Sequence, residues 1–214
     1  MIVLFEDNHL LALDKPAGLL TQPSPTESDS LESRAKKWLK ETYSKPGDVF
    51  LQPVHRIDRP VCGVVLFAKT SKACSRLNTS IRERLVTKTY RALVEGKLSP
   101  PKGTLEHYLT HDHHFSRVSQ SKDPEAKKAL LHYQTLEAKN GYSLLEIELV
   151  TGRYHQIRAQ LSAVGCPIIG DKKYGSHLLT NDYSIKLQHY SLTFPHPTKE
   201  EVITVESRLS LLPF

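Results

Sequence analysis

Cysteine is scarce. The 214-residue chain has three, Cys62, Cys74 and Cys166, and their spacing supports neither a disulfide framework nor a cysteine-based zinc site. Long apolar runs are missing too, so no segment is expected to span a bilayer. The N-terminus, Met1-Ile-Val-Leu-Phe-Glu6, turns acidic too early for a signal peptide. These absences predict a reducing, cytoplasmic setting with no membrane partner. No internal repeat, P-loop, dinucleotide fingerprint or nucleophile elbow occurs, so no nucleotide cofactor is expected. Acidic residues are in deficit, 23 against 29 Lys and Arg, for a net charge of +6. That modest excess points toward a polyanion such as nucleic acid.

What is present suffices for one core. Hydrophobic residues make up 39% of the chain and charged residues 24%, ordinary proportions for a globular protein. The length predicts a single domain over 1–214, and a monomer is expected. Two apolar runs, 2–5 and 10–13, flank the turn-forming Asp7-Asn8 and predict an opening β-hairpin. Asp14-Lys15-Pro16-Ala17-Gly18 brings a lysine into a tight turn. Asp29 followed by Glu32 is a capping-box-like start for a helix over about 30–43, with Leu31, Ala35, Trp38 and Leu39 on one face. Ser71 is placed to cap a second helix carrying Ala73, Leu77, Ile81 and Leu85. A strand over 88–95 puts Tyr90 on one face, where alternation alone makes it a core or cross-strand aromatic. The segment 107–128 is rich in His, Lys and Arg, including Lys122, Lys127 and Lys128. It predicts a mobile basic loop or hairpin suited to a phosphate backbone. His111-Asp112-His113-His114 is a poor metal site, because adjacent ligands point in divergent directions. Asn140-Gly141 is the strongest hairpin signal in the chain, and closing strands are expected near 188–194 and 201–206. Mostly hairpins with a few helices means α+β with a largely antiparallel or mixed sheet.

The chain is organised around His55-Arg56-Ile57-Asp58-Arg59-Pro60-Val61-Cys62-Gly63 and the apolar strand that follows it. Pro60 and Gly63 place Asp58 in a turn at the strand's entrance. A carboxylate among guanidinium groups stays ionised near neutrality, which suits a nucleophile or electrostatic stabiliser and suits a general acid badly. It equally fits an Asp that caps the turn and pairs with Arg56 or Arg59. A second constellation is Thr151-Gly-Arg-Tyr-His-Gln-Ile-Arg158, a predicted helix ending at Gly165 ahead of Pro167. Arg158 falls at the edge of the apolar face made by Tyr154, Ile157, Leu161 and Val164. A partly buried guanidinium needs an anion; Asp58 is one candidate and a surface glutamate another.

These stretches resemble the RluA-type RNA pseudouridine synthases. The matching motifs are Leu13-Asp-Lys-Pro-Ala-Gly18, His55 to Thr70, Lys88-Thr-Tyr90-Arg-Ala-Leu-Val94, Thr151 to Arg158, and Gly165-Cys-Pro-Ile-Ile-Gly170-Asp-Lys-Lys-Tyr-Gly175. They stand in the family's order over nearly the whole chain. The resemblance implies Asp58 as the catalytic aspartate, Tyr90 as the aromatic under the target base, and Arg158 as the salt-bridge partner of Asp58. Arg56 resembles the arginine that helps fill the space of the flipped nucleotide. Further RNA contacts expected from these motifs are His55, Arg59, Lys15, Lys69, Arg153, His155, Gln156 and Lys172. The family's fold is a long mixed sheet flanked by helices and loops with a central cleft, and it uses no cofactor and no metal. Val61-Cys62 replaces the small polar pair usual before the motif's glycine. The chain starts directly at the catalytic domain, so its own loops are expected to recognise tRNA, rRNA or both.

Two other readings fit part of this pattern. A glycosidase-like RNA hydrolase normally needs two carboxylates of different acidity, and beyond Asp58 only Asp14 and Asp171 offer themselves. A non-catalytic RNA-binding or folding module would use the same basic surface without the chemistry.

Overall fold

The computed structural model describes residues 1–121, 123–180 and 184–211, so Lys122 lies outside the described residues. In chain order the elements are β1 (Ile2–Glu6), β2 (Leu10–Lys15), α1 (Leu31–Thr42), β3 (Gln52–Pro53), β4 (Cys62–Ala68) and α2 (Ser71–Arg82). There follow β5 (Thr87–Glu95), β6 (Lys102–Asp112), β7 (Phe115–Ser119), β8 (Lys127–Lys139), β9 (Tyr142–Leu149) and α3 (Gln156–Ala163). The last two are β10 (Leu187–Pro195) and β11 (Val202–Glu206). The class is α+β, as the hairpin-rich pattern predicts. The chain divides into two compact units, Met1–Val86 with His189–Ser210, and Thr87–Gln188 with Leu211.

In the first unit the strands run in the order β1-β2-β4-β10, with β3 on β4 and β11 on β10. The predicted opening hairpin is there: β1 and β2 pair antiparallel, Val3 opposite Leu13 and Glu6 opposite Leu11. β2 is buried along its whole length, so its run of apolar residues serves both faces of the sheet. One face packs Leu10, Ala12, Val64, Leu66, Leu192 and Phe194 against Ala73, Cys74 and Leu77 of α2. Leu85 is 56% exposed, because α2 ends three residues before it. Both N-caps differ from the sequence expectation by one position. Ser30, and not Asp29, caps α1, exchanging hydrogen bonds with Ser33; Asp29 instead pairs with Arg34 at 2.7 Å. Thr70, and not Ser71, accepts the Ala73 N–H at the start of α2. In each case the residue with extended backbone and a side-chain oxygen facing the third N–H takes the cap.

The second unit is ordered β5-β9-β8-β6-β7 with antiparallel neighbours throughout. Asn140 and Gly141 turn between β8 and β9 with φ of 53° and 81°, the paired positive values that a tight two-residue hairpin requires. The basic 107–128 segment is a strand hairpin, β6 and β7 joined at His113-His114. α3 begins later than its apolar periodicity suggests. His155 stands in left-handed conformation at φ 49°, and the helix starts at Gln156. Residues 156–161 are all buried, so α3 is covered on every side and is not a helix with one apolar stripe.

Candidate active site

Asp58 sits in a turn closed by the hydrogen bond from Val61 N–H to the Asp58 carbonyl, 3.1 Å. The residues on either side of it are tied down. Thr21 Oγ1 donates to the Ile57 carbonyl at 3.0 Å and accepts the Ile57 N–H at 3.3 Å. On the other side, the Arg59 carbonyl accepts from Gly18 N–H at 2.8 Å and from Lys15 Nζ at 3.1 Å. The stretch 15–21 thus grips the backbone both before and after the carboxylate. Preorganisation of this kind holds a reacting group to a single geometry. The motif's glycine has a steric reason. Gly63 has φ of 118°, and a Cβ there would collide with the His189 carbonyl. Val61 is buried, so the position that is usually polar here serves packing.

Lys15 is fully buried, its ammonium donating to the carbonyls of Pro16, Leu19 and Arg59 at 3.0, 2.7 and 3.1 Å. Burial pulls its pKa down to about 8, and the nearby Cys62 and Asp58 partly oppose the fall. Asp14, at the end of β2, accepts from Ser207 Oγ at 2.6 Å and from Arg208 N–H at 2.7 Å. It is a structural carboxylate that anchors the chain after β11.

In the second unit Arg158 makes a two-point pair with Asp171, Nε to Oδ2 at 2.6 Å and Nη2 to Oδ1 at 2.9 Å. The two side chains are 6% and 1% exposed, so Asp171 supplies an anion to the buried guanidinium. The sequence offers Asp171 only as a distant second carboxylate for a hydrolase and does not pair it with Arg158. The usable signal was its spacing from Tyr174: both border the 3₁₀ turn Lys172–Tyr174, where residues three apart eclipse. The Tyr174 ring lies beside the Arg158 guanidinium, 4.8 Å from its centroid. Tyr174 Oη accepts the Ser116 N–H at 2.9 Å and is hydrogen-bonded to His155 Nδ1, 2.9 Å away. Burial first, then the charges of Arg158 and Lys173, push the His155 pKa down to about 3. The loop that carries Asp171 is fixed to β5, with Ile169 N–H donating to the Leu93 carbonyl at 3.0 Å. Tyr90 is a buried residue of β5, opposite Ile147 of β9.

Several expected RNA contacts have other work. Lys15 is enclosed by carbonyls. Lys69 spends its charge on Glu6 at 2.8 Å and the Asp7 carbonyl at 2.6 Å. Arg59 binds both oxygens of Glu27, at 2.9 and 3.3 Å, and the Gly18 carbonyl. Gln156 is buried, its Oε1 taking Thr151 Oγ1 and Arg153 N–H and its Nε2 donating to Leu130. It shapes the turn that launches α3. His155 is uncharged near neutrality and is no cationic phosphate contact. His55 is half-buried, and its Nε2 accepts the Leu66 N–H at 3.2 Å. Arg56, Arg153 and Lys172 are exposed, and among the described residues none of the three has an ion-pair partner. These three remain suited to a phosphate.

The same fold occurs among solved structures. Human RNA pseudouridylate synthase domain containing 4 superposes with a TM-score of 0.83 at 22% identity, covering 98% of this chain and 88% of that one. At the sequence level, a profile described as RNA pseudouridylate synthase matches residues 9–163. An uncharacterized RNA pseudouridine synthase of Bacillus subtilis, YhcT, is 35% identical over 96% of this chain and 67% of its own length. Ribosomal large subunit pseudouridine synthase C of Rickettsia prowazekii is 32% identical over 81% of this chain and 56% of its own length. The chain belongs to the RNA pseudouridylate synthase family, a family of isomerases. It spans between about half and two thirds of the length of these bacterial relatives.

Proposed function

We propose that this chain isomerises uridine to pseudouridine in RNA, with ribosomal or transfer RNA as substrate and no cofactor, and that it works in the cytoplasm. The reaction breaks the N1–C1′ bond, turns the base and forms a C5–C1′ bond. The C5 hydrogen leaves as a proton and N1 gains one, so the product has the mass of the substrate. In this reading the target uridine leaves its stack, and Tyr90 holds the base while it turns. Asp58 acts as the nucleophile at C1′. Arg158 is assigned to align the reacting carboxylate, and Arg56 occupies the space the nucleotide vacates. Water must be kept out, because hydrolysis would release uracil and damage the RNA.

The observation that carries this reading is the double grip on the Asp58 turn. Thr21, Lys15 and Gly18 fix the backbone on both sides of the carboxylate, the preorganisation that a reacting group needs. The ribosomal large subunit named for relatives favours ribosomal RNA as the substrate. Mapping pseudouridines in total RNA from cells with and without the protein tests both points. Loss of one or a few sites, restored by the wild-type chain and not by Asp58→Asn, supports the reading. An unchanged map, or rescue by Asp58→Asn, favours the RNA-binding module instead.

A further inference from the structure

A groove of about 510 Å³ opens on the second unit, within the size range of ordinary ligand sites, and the proposed isomerisation makes no use of it. One wall is aromatic. Tyr154 stacks on His155 with ring centroids 3.9 Å apart and planes at 19°, and His111 of β6 leans against Tyr154 at 4.4 Å. That wall is built in advance. Ser116 Oγ donates to the Tyr154 carbonyl at 2.6 Å, and the Tyr174 hydroxyl holds the His155 ring. Two cations stand at the rim, Arg153 and Lys127, both exposed and neither with an ion-pair partner among the described residues. Arg153 is oriented by its Nε–H bond to the Lys128 carbonyl at 2.9 Å. The lining also includes one carboxylate, Glu125.

We propose that this groove is a subsite for a second, unpaired nucleotide of the RNA, with guanine the preferred base. The inference rests on RNA being the partner. Aromatic rings flanked by cations are how proteins hold single-stranded nucleotides, the base on the rings and the phosphate on the cations. Glu125 supplies the choice of base. Guanine presents two adjacent donors, N1–H and the 2-amino group, to the two oxygens of a carboxylate. Uracil presents one donor between two carbonyls that a carboxylate repels, and adenine presents its amino group beside an acceptor nitrogen.

The test uses uridine-free hexaribonucleotides of A and C with one central G, inosine or A, measured by fluorescence anisotropy against the whole chain. Such probes cannot be isomerised, so the outcome is independent of whether the chain is a synthase. The wild type should bind the G probe about tenfold tighter than the A probe, with inosine in between because it lacks the 2-amino group. Glu125→Gln, an exposed change that leaves the fold alone, should erase most of that preference. Tyr154→Leu should weaken all three probes by about tenfold, and Lys127→Gln should flatten their salt dependence. Equal binding of the three probes by wild type, no binding of any at low salt, or a G preference that survives Glu125→Gln overturns the subsite.

Discussion

Arg158 and Asp171 form a buried two-point pair in which each charge offsets the other's burial. Removing one partner leaves an uncompensated ion in the interior, which typically costs about 3–5 kcal/mol. Asp171→Ala should therefore lower stability by about that amount in denaturant titration. The double variant Arg158→Met with Asp171→Leu should recover most of it, since apolar replacement of both ions is often neutral. The proposed role of Arg158 predicts that this double variant stays inactive although folded, and single-turnover rates check that. Lys15 makes a different prediction. Its folded pKa of about 8 lies below the ordinary value of 10.5, so between those values the unfolded chain binds more protons than the folded one. Stability contributed at this site is then constant below about pH 8 and rises with pH through that window. Compared with Lys15→Met, the wild type should gain stability from pH 8 to 10.5; equal pH slopes for the two would refute the burial account of Lys15. At this scale the sequence was legible where a residue's neighbours in sequence are its neighbours in space. Asp58 and its turn belong to that class. Asp171 as a partner of Arg158 does not, because it comes from a loop thirteen residues on, and neither do the three carbonyls that capture Lys15.

Helices and hairpins were read well in type and less well at their ends. The Asn140-Gly141 turn follows from local backbone chemistry alone, so it was visible without the structure. The start of α3 was not, because Gln156 reaches back to Thr151 and Arg153 N–H and spends the preceding residues on a turn. The cap of α1, expected at Asp29 and found at Ser30, can be checked directly. Ser30→Ala should cost about 1 kcal/mol, whereas Asp29→Ala removes only an exposed pair with Arg34 and should cost less than half of that. The reverse order in thermal or chemical denaturation would return the cap to Asp29. Gly63 is the element-scale position with least freedom. Gly63→Ala imposes both a positive φ and a collision with the His189 carbonyl, and it should destabilise the first unit by about 2 kcal/mol or more.

For the molecule as a whole, the +6 charge overstates how many cations are available to RNA. Lys15, Lys69, Arg59 and Arg158 are spent on internal partners, which a count of charges cannot reveal. Arg56, Arg153, Lys172 and Lys127 remain exposed and unpaired among the described residues. RNA affinity should fall with salt, and charge removal at Arg153 and Lys127 should lower that slope, while the same change at Lys69 should not. The central claim is that Asp58 performs an isomerisation, and one measurement addresses it directly. RNA labelled with tritium at uridine C5 is incubated with excess enzyme in a single turnover, and released tritium, pseudouridine and free uracil are counted together. Wild type should release tritium in step with pseudouridine and give no uracil, and Asp58→Asn, folded to the same stability, should give neither product. Pseudouridine formed by Asp58→Asn, or uracil in place of pseudouridine from the wild type, would contradict the account.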